Sequence, residues 1–113
     1  LVFTPPTVSD VPLLFPISAV VAAGTTRIIS FPDEFLGVAV NLKITNNDGA
    51  NAASYRVGQD AMNARNLPAS NFDTISNANV KYLSVTAGAA GTVLVEAQAY
   101  DIERAEIAGV VAV

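Results

Sequence analysis

A chain of 113 residues that is 51% hydrophobic but only 14% charged supports a single core, and its surface must carry Ala, Val, Thr and Asn where ordinary domains, at roughly 25% charge, place Lys and Glu. Its net charge is −4, and Arg27, Lys43, Arg56, Arg65, Lys81 and Arg104 are spread singly, so the clustered positive charge needed to grip phosphate backbones is missing and nucleic acid is excluded as a partner. With no His and no Cys, the chain lacks the commonest general base, the most nucleophilic side chain and any thiolate metal site, which points away from an enzyme and from a cofactor.

In chain order, residues 1–16 carry Pro5, Pro6, Pro12 and Pro16 among Phe3, Leu13, Leu14 and Phe15. Proline removes ladder donors, so this segment reads as an extended N-terminal arm or edge segment whose apolar side chains need a docking surface. The chain opens without an initiator Met and without the basic region of a signal peptide, so a processed or trimmed start is expected. The uncharged run from Val11 to Thr26 is broken by Pro12, Pro16 and Gly24, too short and too interrupted for a membrane span.

A sandwich domain is expected over 17–100. Ile17–Ala23 and Arg27–Phe31 read as strands joined as a hairpin around Gly24-Thr25-Thr26, and Pro32-Asp33-Glu34 as a turn or one-turn helix start. Val38–Thr45 alternates, with Val38, Val40, Leu42 and Ile44 on one face and Ala39, Asn41, Lys43 and Thr45 on the other. Asn46-Asn47-Asp48-Gly49 is a turn signal, Ala53–Val57 a strand, and Gly58 to Asn66 a polar loop. Phe72–Ile75 and Val80–Thr86 are further strands. Past the turn Ala87-Gly88-Ala89-Ala90-Gly91 comes Thr92–Tyr100, with Val93, Val95, Ala97 and Ala99 facing inward and Glu96 and Gln98 facing water. Such short strands at roughly 8–12-residue spacing predict an all-β fold, an antiparallel β-sandwich of jelly-roll or Greek-key type. Residues 101–113 read as a C-terminal docking tail: a short helix is expected with Asp101 as cap, then the charge-free run that holds Ile107, Val110, Val111 and Val113.

Three constellations carry possible chemistry, each beside a plainer reading. Asp33, Glu34, Asp48, Asp60, Asp73 and Glu96 offer carboxylates for a glycosidase pair, but most fall in turns or at exposed strand positions and read as solvated. Asn46 to Asn51 has alternating oxygen ligands and a Gly, yet lacks the closing bidentate Glu of a calcium loop and reads as a turn. Tyr55, Tyr82 and Tyr100 with Phe72 suggest a sugar platform, against which stands ordinary packing of side chains that have an apolar body and a polar tip.

The stretches Gly37 to Asp48, Ala53-Ser54-Tyr55-Arg56-Val57, Leu67 to Phe72 and Val80 to Val93 resemble small structural proteins of tailed bacteriophages, of the head decoration or minor capsid type. The resemblance implies a β-sandwich located in the virion that reinforces the shell without catalysis. Its partners would be other copies, most often as a homotrimer, and the major capsid protein or another virion protein. The expected assembly contacts are Phe3, Leu13, Leu14, Phe15, Ile107, Val110, Val111 and Val113. The competing readings are a receptor-binding module of a tail fibre or adhesin, with the loop from Asp60 to Asn71 as the fibre's contact, and a carbohydrate-binding module that binds through exposed Tyr.

Overall fold

Alternation of apolar and polar residues pleats the described part of the chain into eight strands whose inward side chains close one core. The computed structural model describes residues 14–58, 63–76 and 78–101, with 103 and 109. In chain order the elements are β1 (Leu14–Val21), β2 (Thr26–Ser30), α1 (Phe31–Phe35), β3 (Gly37–Asn46), β4 (Ala53–Val57), β5 (Arg65–Leu67), β6 (Phe72–Ile75), β7 (Tyr82–Thr86) and β8 (Val93–Asp101). They form two four-stranded antiparallel sheets, ordered β1-β8-β3-β6 and β2-β7-β4-β5.

The pairings β1 with β8, β2 with β7, β3 with β6 and β4 with β5 join first strand to last, second to second-last, and so inward. A ribbon folded in half and rolled into two stacked sheets gives this order, which is that of a jelly roll. The expected β-sandwich is therefore present. The expected β1–β2 hairpin is not, because the two strands lie in different sheets. Gly24 sits at φ 70° and donates its N–H to the Gly88 carbonyl at 2.8 Å, so Ala22 to Thr25 carries the chain from one sheet across to the other.

Val21, Ile29, Ile44, Leu67, Leu83, Val85, Val93 and Val95 are fully buried between the sheets, each such side chain contributing about 1.5–3 kcal/mol. Val93, Val95, Ala97 and Ala99 face inward as their alternation predicts. β3 departs from its expected alternation. A register shift between Ala39 and Asn41 inserts one extra residue, so Ala39 joins Leu42 and Ile44 in the core while Val40 is only half-buried; a bulge turns the residues before it onto the opposite face. β5 overlaps the end of the stretch expected to be a loop. Only three residues long, it is held by pairing with Ala53 to Tyr55.

The boundary expected at residue 16 falls inside β1, which begins at Leu14. β1 is an edge strand, as Pro16 requires. Asp101 ends β8, and its carboxylate accepts the Glu103 N–H at 2.9 Å; the rest of the expected tail helix lies outside the described residues. Among the described residues, no helix is long and apolar enough to cross a membrane.

Candidate functional site

Three loops meet at one end of the sandwich, and two buried polar residues hold them. Asn46 and Asp48 are 1% and 2% exposed. Asn46 Nδ2 donates to the carbonyls of Asn51 (3.0 Å), Leu67 and Pro68 (both 3.2 Å), and its Oδ1 accepts the Asp48 N–H at 3.0 Å. Asp48 Oδ1 accepts the N–H groups of Ala50 (2.8 Å) and Asn51 (2.9 Å). Its Oδ2 accepts Asn51 Nδ2 (3.1 Å) and the Ala90 N–H (3.0 Å). These bonds, led by that from Ala50, hold the Asp48 carboxyl well below the usual carboxylate range. The loop packs so tightly on Gly91 that a Cβ there would stand 2.4 Å from Asp48 Cα, and one on Gly88 would stand 2.6 Å from Asp48 Oδ2. The segment weighed as a cation loop is thus turned inside out: its acid faces N–H donors, and it works as a buried clamp.

The other carboxylates are dispersed. Asp33 accepts the Ser30 hydroxyl at 2.8 Å, Glu34 pairs with Arg27, and Asp73 accepts the Tyr55 hydroxyl across the sandwich at 2.8 Å. Asp60 lies outside the described residues. Glu96 is exposed on the outer face of the first sheet and has no hydrogen-bond or ion-pair partner among the described residues.

The tyrosines form no platform. Tyr55 and Tyr100 are buried; Tyr100 donates its hydroxyl to Asn79 Oδ1, and burial pushes both phenols above their ordinary pKa, helped at Tyr55 by Asp73. Tyr82 is half-buried in β7. Phe72 alone of the four is largely exposed, at 57%, with the Lys43 ammonium 4.7 Å from its ring centre. The loop expected to be a receptor contact is in part β5, and Asp60 to Met62 lie outside the described residues.

Of the expected assembly residues, Leu14 is exposed on β1, while Phe15 is half-buried and approaches Gly37. Phe3, Leu13, Ile107, Val110, Val111 and Val113 lie outside the described residues. Sequence reasoning missed three other exposed apolar side chains, Val20, Ile28 and Leu36. Leu36 carries the clearest anomaly. It caps α1 at φ 55°, ψ 36°, a left-handed conformation that disfavours bulky side chains, and it is 68% exposed.

The neighbouring edges of β1 and β2 are closed by one ion pair. Arg27 donates to the Val20 carbonyl at 3.2 Å and to Glu34, and Glu34 accepts the Ser30 N–H at 3.0 Å. In an antiparallel strand each residue's N–H and C=O point the same way, so Val20 and Pro16 belong to the same outward row. Pro16 offers no donor there and Arg27 takes the Val20 acceptor, both of which discourage strand addition on this side.

No family model and no curated protein matches the chain. Among solved structures, a chain from the Bacillus endospore appendages, described as a novel family of disulfide-linked pili, is similar over 80% of this chain and 90% of its own, at 10% identity and a TM-score of 0.47. The present chain has no cysteine.

Proposed function

We propose that this chain is a non-enzymatic structural subunit that works by contact with other copies of itself and with a larger assembly. The observation that carries the reading is Leu36, a bulky apolar side chain held in left-handed backbone and presented to solvent. A lone folded domain gains nothing from leucine there, where Gly or Asn would relieve the backbone; a subunit that seats the side chain in a neighbour does. The shortage of charge and the exposed Leu14 and Ile28 support the same reading. They lie on different strands and sheets, as contacts with more than one neighbour require.

The finer reading is a virion protein that decorates or reinforces a viral shell as a homotrimer, and it rests on the resemblance to phage structural proteins. Jelly rolls serve capsids and lectins alike, so the topology does not choose between them. Light scattering on the full chain tests the coarser reading. The expected result is a discrete oligomer that becomes a monomer, still unfolding in one cooperative step, in the triple variant Leu14→Ser, Ile28→Ser, Leu36→Asn. A monomeric parent chain, or an oligomer indifferent to the three changes, would sink the proposal.

A further inference from the structure

The outer face of the first sheet, beside the exposed Leu14, carries a second feature. Strand register lines up Ser18, Glu96, Lys43 and Thr74 in one row across all four strands, and Pro16, Gln98 and Asn41 in the next. An open trough of about 600 Å³ runs over these rows, within the range of small-molecule sites of roughly 300–1,000 Å³. The row on the other side of Ser18, made of Val20, Leu94, Thr45 and Phe72, flanks the trough and brings the exposed Phe72 ring to its β6 side.

The hydrogen-bonding groups here are incompletely used. Asn41 Nδ2 donates to Gln98 Oε1 at 3.0 Å, while the Gln98 NH₂ has no partner among the described residues. Glu96 stands opposite Lys43 in register, yet the ion pair found among the described residues is Arg27 with Glu34, and the Lys43 ammonium lies over Phe72 instead. The trough therefore offers the Glu96 carboxylate as acceptor, the Gln98 NH₂ as donor, and the Ser18 and Thr74 hydroxyls that serve as either. The second sheet's outer face differs: Thr26 and Thr86 bond each other there at 2.9 Å, and it holds no carboxylate among its lining residues.

The chemistry selects the ligand. One Glu and one Lys leave the trough neutral, so an anion meets Glu96 with no cluster of cations to outweigh it, as phosphate recognition needs. A single carboxylate is too few ligands for a hard cation. A neutral compound dense in hydroxyls fits: vicinal hydroxyls donate to Glu96 and accept from Gln98, and the C–H face of a sugar ring takes the place of the Lys43 ammonium on the exposed Phe72 ring at the trough's edge. We infer that the outer face of the β1-β8-β3-β6 sheet binds a neutral oligosaccharide, with Glu96, Gln98 and Phe72 as its principal contacts.

The test is calorimetric titration of the full chain with neutral hexasaccharides of glucose, mannose and galactose, beside a sulfated counterpart. Saturable binding of at least one neutral sugar is expected. Glu96→Ala and Phe72→Ala should each weaken it tenfold or more with unchanged unfolding midpoints, and Arg56→Met on the opposite face should leave it unaltered. Absence of saturable binding, preference for the sulfated sugar, or indifference to Glu96→Ala and Phe72→Ala would overturn the inference; so would dimerisation through this face that Glu96→Ala abolishes in place of sugar binding. None of these variants touches Leu14, Ile28 or Leu36, so failure here is separable from failure of the assembly role.

Discussion

Asp48 and Glu96 are both carboxylates on a small β-sandwich, and their surroundings are opposite. Asp48 is buried and receives four N–H donors from the chain itself, one of them 42 residues away. Glu96 is exposed and receives none among the described residues. A buried charge is tolerable only when its lone pairs are filled, so Asp48 is committed to holding loops together. A surface charge without a partner adds little to folding, which leaves Glu96 available for a ligand.

The comparison is broken most forcefully by spoiling the clamp. Gly91→Ala would drive a Cβ into the Asp48 backbone, and overpacking of this kind should cost about 3 kcal/mol, read as a lowered urea midpoint at unchanged slope. Acid is the next lever. Because folding depresses the Asp48 pKa below its ordinary value near 3.8, its contribution is fully present above that value and is lost as pH falls toward the folded pKa. Stability should therefore drop below about pH 4, and Asp48→Asn should remove that part of the acid dependence while lowering stability at pH 7.

Smaller effects sharpen the contrast. Tyr55→Phe removes the hydroxyl bond to Asp73 that ties the two sheets and should cost about 1 kcal/mol in chemical denaturation. Leu36→Gly should stabilise the isolated domain by about 0.5 kcal/mol, as relief of left-handed strain outweighs added chain entropy, while weakening the proposed assembly. Glu96→Ala should change stability by less than about 0.5 kcal/mol.

The strands were readable where alternation is strong, as in β3 and β8, because a period of two reports which side chains are inward. Partner choice was not. Gly24-Thr25-Thr26 announces that the chain turns, but the same residues serve a hairpin and a crossing between sheets. The β3 bulge escaped because Val38 and Val40 alternate with Leu42 in sequence whether or not an extra residue intervenes. β5 escaped because three residues carry no period, and its neighbour β4 makes it a strand. The clamp was seen only as Asn- and Asp-rich turn residues, since donors such as Ala90 are brought to Asp48 by tertiary folding. Glu96 and Gln98 were correctly read as facing water; their alignment with Ser18, Lys43 and Thr74 depends on register across four strands, which composition does not encode.

The most direct measurement is the urea midpoint of Asp48→Asn beside that of Glu96→Gln, both at pH 7. Each exchange removes one negative charge and replaces a carboxylate oxygen with an amide NH₂. The account predicts a marked fall for Asp48→Asn, where the new NH₂ faces N–H donors, and no change for Glu96→Gln. Equal shifts, or a larger one at Glu96, would contradict the division between a committed carboxylate and an available one.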